Sequence, residues 1–308
     1  MRAGRGERRL IGIVTAVLFA YLLSAGVTSG ALYALVAAGL VICFRTTGHI
    51  NFSHGELFMV GGFLAFSFHV LWGIPYIPSL VLAVFGGAGI GLITDRVIYR
   101  SLIKAPPIAM VIATIAFSFV LKGTARYLWG GQGDIVPFPP IADPAPFMVG
   151  KIAVFPQQVV VLACALLAMA VLTLFFRSTR AGKVMQATAE RPRAAYLVGI
   201  RVERVYSLTW AVSAAMAALA AVFMAPLTQL TPDIGQNLLL KAFAATILGG
   251  LGNMAGAVAG GFLVGIGETL AAGYIDSSAQ DAAAFVTIML VLIVRPTGLF
   301  GVRGRREV

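Results

Sequence analysis

Eight stretches of this chain run for 13 or more residues almost without charge, and that constrains its fold more than anything else in it. They are Leu10–Phe44, Leu57–Trp72, Ser79–Thr94, Pro107–Leu121, Val159–Phe176, Val205–Pro226, Ala242–Ile275 and Ala282–Val294. A helix needs roughly 20 apolar residues to cross the hydrocarbon, so runs of this kind in series predict an all-α, polytopic membrane protein. The first and seventh are too long for one crossing. At ~1.5 Å per residue the first would measure about 52 Å, against a core of about 30 Å. Each is therefore expected to break, the first at the small residues Ser24–Gly30 and the seventh in the four glycines Gly249–Gly256 around Asn253. That gives ten membrane segments; eight full spans are the alternative. Parity does not separate the two.

Charge orients the segments. The cytoplasmic side of a membrane protein collects lysine and arginine, because these resist translocation. An N-terminal group (Arg2, Arg5, Arg8, Arg9), Arg45, a third connection (Arg96, Arg100, Lys104), an island between Arg177 and Arg204, and a tail (Arg295, Arg303, Arg305, Arg306) hold 19 of the 23 basic residues. All are expected inside, which places both termini in the cytoplasm. Lys122, Arg126, Lys151 and Lys241 remain for the outside, where a proline-dense connection over 122–156 is expected to be irregular. A basic stretch followed by Leu10–Leu23 and Ser24-Ala25-Gly26 is also the layout of a cleavable leader. Chains with many spans seldom need cleavage, and the run is read as a membrane segment.

A net charge of +11 raises nucleic acid as a partner, but no basic stretch is interleaved with stacking aromatics and the cations sit between spans. Nucleic-acid binding is set aside; membrane lipid is the surrounding. Cys43, Cys164 and three scattered histidines supply no metal-ligand spacing. Only 11% of residues are charged, which makes the island the most unusual segment. It carries Arg177, Arg180, Lys183, Arg191, Arg193, Arg201 and Arg204 against Glu190 and Glu203. Within it, Glu190–Ile200 reads as one short helix. Pro192 suits the first helical position and Gly199 the left-handed position past the end. A partly apolar knob in a basic loop implies something cytoplasmic that receives it.

Polar residues at membrane depth are the remaining candidates. Glu268 is the one acid well inside an apolar run, with ion pairing to Lys241 as its structural alternative. Asn51, Ser53, His54 and Glu56 form a polar cluster, with His49, at the start of the second run. Helix capping by Asn51 or Ser53 accounts for it, as does an unwound lining of a cavity. Asn253 sits in the expected break of the seventh run. Pairs such as Gly256 with Gly260, Gly261 with Gly265 and Gly87 with Gly91 fit close helix packing. The chain has no Gly-x-x-x-x-Gly-Lys-Ser/Thr loop, no Gly-x-Ser-x-Gly elbow and no His-Glu-x-x-His helix, which argues against ATP binding by that loop and against enzyme chemistry. An ion-coupled carrier stays open, with Glu268 as its coupling residue.

Five ordered segments, Gly30–Gly39, Ile50–Met59, Ala194–Ile200, Lys241–Gly252 and Arg295–Phe300, closely resemble the LivH-type permease family. That family supplies one of two membrane subunits of the branched-chain amino acid ABC importer, and the resemblance runs from about Gly30 to Gly301. It implies one permease domain over 1–308 in a bacterial inner membrane, with an external loop (122–156) and a coupling loop (177–204). It implies as partners a second, related permease, two cytoplasmic ATPases that hold the ATP-Mg, and a periplasmic binding protein. The chain itself would bind no cofactor and catalyse nothing. By the same resemblance the knob is the coupling helix. Ala194, Ala195, Leu197 and Val198 would enter an ATPase groove, Arg191 and Arg201 would meet acidic rims, Arg193 would help hold the ATPase, and Gly199 would end the helix. Asn51, Ser53, His54, Glu56, Asn253 and Glu268 are carried as translocation-path candidates. Close relatives of this permease serve urea and short amides, which is the alternative substrate class.

Overall fold

A computed structural model describes residues 3–103, 105–130, 135–143, 145–149, 152–295 and 297–301. Side chains at 3–14, 149, 152 and 281 are outside that description. So are Arg2, Lys104, Pro144, Lys151, Arg303, Arg305 and Arg306 and the side chains of Arg5, Arg8 and Arg9, on which part of the charge expectation rests.

The fold is nearly all α. Helix α1 (Ala3–Thr47) is followed by α2 (His54–Phe66), which runs on through a π-helical turn to Leu71. Next come α3 (Tyr76–Thr94), a second π-helical turn (Asp95–Tyr99) and the short α4 (Arg100–Leu102). Then follow α5 (Pro107–Trp129), strands β1 (Phe147–Val149) and β2 (Ile152–Val154), and α6 (Pro156–Ser178). Helices α7 (Arg180–Glu190) and α8 (Pro192–Leu197) lead to α9 (Val202–Met224), α10 (Ile234–Gly249), α11 (Met254–Tyr274) and α12 (Ala279–Val294). Among the described residues seven helices are long and apolar enough to cross a membrane, in α1, α2, α3, α5, α6, α9 and α11; α10 and α12 are shorter apolar helices. The count of ten is not reached.

It fails at the first long run. No break occurs between Ser24 and Gly30, because α1 is continuous. Its glycines do other work: a Cβ on Gly30 would stand 2.7 Å from the Phe262 Cα, and one on Gly26 would stand 2.8 Å from the Ile266 Cα. They are the contact surface for α11, whose Gly261 and Gly265 meet Ala34 and Gly30 in return. The Ser24 and Thr28 hydroxyls fold back onto the Tyr21 and Ser24 carbonyls, as solitary hydroxyls in apolar helices do. The seventh run does break where expected. There α10 stops at Gly249, Gly250 and Gly252 take φ of +103° and +88°, and the Asn253 side chain accepts from the Gly256 N–H to start α11. Gly249 and Gly256 lie backbone against backbone.

The unbroken α1 also runs between two faces of the bundle. Tyr21 packs on Phe155 at the start of α6, whereas Arg45 and Thr46 line a cavity with Phe176, Arg177 and Met185 beside α7. Phe300 hydrogen-bonds to Gly249 and Asn253 on that second face. The start of α1 thus lies at the Phe155 face and the C-terminal segment at the Arg177 face. The expectation that both termini share one side rests in part on residues 1–2 and 302–308, which lie outside the described residues.

Two spans are longer than hydropathy suggests. The expected end of the fourth run at Leu121 is passed, and α5 continues through Lys122 and Arg126 to Trp129, because both cations pair with Asp233. The connection that follows is irregular apart from the β1–β2 hairpin and one bridge between Val136 and Leu230. Likewise α3 runs on past Asp95, which is buried and paired with Arg100 at 3.0 Å and with Ser207 of α9 at 2.7 Å. The core gathers around α9, whose Ala214, Ala217, Ala218, Ala220 and Ala221 are fully buried against α1, α2 and α3. Small side chains there let backbones approach and gain dispersion contacts, the packing that works in lipid.

Candidate functional site

The island folds only partly as its residues predict: the helix expected over Glu190–Ile200 is the shorter α8, and Glu190 instead ends α7, a helix not expected from the sequence. Thr179 caps α7 by accepting from the Gly182 N–H at 3.0 Å. Arg191 is the hinge residue, and α8 then begins with Pro192 at its first position. Gly199 has φ +86°, and its N–H and that of Ile200 return to the Tyr196 and Ala195 carbonyls, closing the helix. Only a residue without Cβ adopts that turn without strain. The result is a protrusion: Tyr196, Leu197 and Val198 are 72%, 84% and 77% exposed. Arg191, Arg193, Ala194 and Arg201 are exposed around them. Ala195 is the exception. It is buried and props α8 on the rest of the protein, so it is not available to a partner. Tyr196 takes its place on the outer surface; its aromatic ring in the middle of the Ala194–Val198 stretch was the overlooked signal. Beside it, Ile103, Arg204 and Tyr206 complete a groove under α8.

The depth candidates separate into three places. His54 is fully buried and stitches helices together: its Nε2 donates to the Val36 carbonyl at 3.1 Å and its Nδ1 lies 3.4 Å from the Ser213 hydroxyl, which itself donates to Gly39. Asn51 Oδ1 accepts from the Ser53 N–H at 2.9 Å and the Ser53 hydroxyl at 2.7 Å, forming the turn that starts α2. Ser53 occupies the cap position, yet its side chain bonds Asn51 and not the helix. Asn253 is a cap and a tether, holding Gly256 and the Phe300 carbonyl, and it sits apart from the others.

Glu268 forms a buried ion pair with Lys241 of α10, and the Lys241 ammonium also lies 5.7 Å from the centre of the Tyr33 ring. Lys241 is therefore inside the bundle, not on the outer side where its charge suggested. Glu56 is 3% exposed at the start of α2, where Gly55 and Gly235 of α10 meet backbone to backbone. Near it is a polar group that sequence reading left unassembled: Lys122, Arg126, Asp233 and Gln236. Lys122 Nζ reaches Asp233 Oδ1 at 2.9 Å and Gln236 Oε1 at 3.1 Å, and Arg126 reaches Asp233 Oδ2 at 3.0 Å. The Lys122 ammonium bonded to Asp233 holds that carboxyl below the usual carboxylate range.

Seven helices long and apolar enough to cross a membrane, a basic face carrying a protruding apolar helix, and polar groups paired within the bundle define a multi-pass membrane protein. The chain belongs to the family described as branched-chain amino acid transport system / permease component, whose profile matches residues 22–294. It is 35% identical over 290 residues to the high-affinity branched-chain amino acid transport system permease protein LivH of Salmonella typhimurium, covering 90% of this chain and 93% of that one. BraD of Pseudomonas aeruginosa is 32% identical, covering 90% and 94%. A probable LivH of Methanocaldococcus jannaschii is 29% identical, covering 88% and 89%.

Proposed function

We propose that this chain is a membrane subunit of an ATP-driven importer for branched-chain and related hydrophobic amino acids, and that α8 is where ATPase subunits transmit their motion to it. The observation that carries the coupling role is the exposure of Tyr196, Leu197 and Val198 on a helix fixed at both ends by Pro192 and Gly199. A solvent-facing apolar triplet inside a basic loop is a docking patch with a polar rim. Arg191, Arg193 and Arg201 meet acids on the ATPase, Leu197 and Val198 fill its groove with Tyr196 and Ala194, and closure of the ATPases on ATP-Mg pushes the patch. The chain is non-catalytic and holds no cofactor.

On this reading the Arg177 face, with Arg45 and the C-terminal segment, is cytoplasmic, and the start of α1 is external. The whole chain is one permease domain, with 177–204 as its coupling loop. The 122–156 connection, from which the Val136–Leu230 bridge and the hairpin arise, receives the periplasmic binding protein. A second, related permease completes the pathway as a heterodimer. The branched-chain amino acid transport systems to which LivH and BraD belong favour amino acids over urea or short amides.

Reconstitution with the ATPases and binding protein is expected to give ATP-dependent leucine uptake, and Gly199→Pro to abolish both uptake and ATPase co-purification. Proline cannot adopt φ +86°. Leucine accumulation by this chain alone on a proton or sodium gradient would sink the reading.

A further inference from the structure

We infer that Lys122, Arg126, Asp233 and Glu56 form the place where this permease holds the charged main chain of its substrate on the way in. The inference rests on the amino-acid importer reading and adds the recognition chemistry. Three helices contribute. Lys122 and Arg126 lie one turn apart near the end of α5 opposite its Pro107 start, Asp233 precedes α10, and Glu56 is in the first turn of α2. Exposure falls along the series. Arg126 and Asp233 are more than half exposed, Lys122 is 10% exposed in its side chain, and Glu56 is 3% exposed. The groups thus make a polar track that begins open and ends inside the bundle.

Its charge composition names the ligand class. Two cations face two carboxylates, and a free amino acid carries one charge of each sign. Such a zwitterion can insert between Lys122 and Asp233, giving its carboxylate to Lys122 and Arg126 and its ammonium to Asp233 and Glu56. No net charge is then left in a low-dielectric place, the condition under which burying charge is tolerable. An anion or a cation alone meets a like charge in the same cluster. One observation points independently to a missing guest: Glu56 Oε2 is buried and has no hydrogen-bond partner among the described residues, although Glu56 lies within electrostatic reach of Lys122 and Asp233. An orphaned buried carboxylate oxygen is costly unless something fills it. The Lys241–Glu268 pair differs in kind. Glu268 Oε2 is likewise without a partner among the described residues, but this pair has no exposed member, whereas Lys122 is bonded to Asp233, which with Arg126 is more than half exposed and opens the cluster to the outside.

The test uses the assembled importer in lipid nanodiscs and a diazirine analogue of leucine, photoreactive in its side chain and free in its main chain. After irradiation, mass spectrometry of peptides is expected to find adducts on α2, α5 and α10 around the cluster. Excess leucine should reduce them at least tenfold and leucine methyl ester, which lacks the carboxylate, should not. Lys122→Met is expected to cut labelling tenfold and Arg126→Gln about threefold. The second variant keeps the Lys122–Asp233 pair, so it decides the matter if the first fails to assemble with the ATPases. Wild-type leucine uptake together with adducts only elsewhere, or with labelling that the ester competes equally, would overturn the inference while leaving the importer reading intact. Absence of leucine uptake by the wild-type assembly would overturn both.

Discussion

The two longest apolar runs contain the same ingredients and fold differently. Leu10–Phe44 carries Gly26 and Gly30 beside serine and threonine and passes through as one helix; Ala242–Ile275 carries glycines around Asn253 and turns back on itself. Glycine is present at both places, so glycine alone does not break a helix in lipid. What differs is the partner each backbone finds. At Gly30 the missing Cβ admits the Phe262 backbone and the helical hydrogen bonds stay intact. At Gly250 and Gly252 two positive φ angles reverse the chain, and Asn253 supplies the acceptor that the new helix needs. A break requires a replacement for the hydrogen bonds it forfeits.

This comparison can be broken at three points. Gly30→Leu should have the largest effect, because its side chain would enter the α11 backbone. Overpacking of that severity costs more than about 3 kcal/mol, and size-exclusion chromatography in detergent should show loss of monodisperse protein. If Gly30→Leu behaved as wild type, α1 and α11 would not pack as described. Asn253→Ala should be intermediate. Loss of the cap costs about 1 kcal/mol, and amide exchange at Leu299 and Phe300, which bond to Leu248 and Gly249, should quicken. Unchanged exchange there would mean that glycine geometry alone holds the turn. Thr28→Val should be the smallest, within about 0.5 kcal/mol by thermal unfolding, since its hydroxyl bonds only the Ser24 carbonyl of its own helix. A large loss would reveal a hidden helix break at that site.

Local signals in the sequence were legible where the cause was local. Pro192 and Gly199 bound α8 as proline and glycine do anywhere, and Asn253 marks its own turn. Helix lengths were misjudged where the cause was distant. Lys122 looks like the end of a span until Asp233, far along the chain, arrives to neutralise it. Lys241 likewise looks external until Glu268 is found beside it. The candidate site follows the same division. The apolar surface of α8 was readable apart from the choice between Ala195 and Tyr196, which depends on which way a six-residue helix faces its support. The cluster around Asp233 was not readable, because its cations lie on α5 and their carboxylates on α2 and at the start of α10, far apart in the sequence.

The exposed Tyr196, Leu197 and Val198 carry a cost for the cell as well as a use. On the proposed coupling role, a subunit without its ATPases would leave this apolar surface open to other proteins and to its own copies. In that role, the same three side chains that an ATPase would cover stand as bare apolar surface until it arrives.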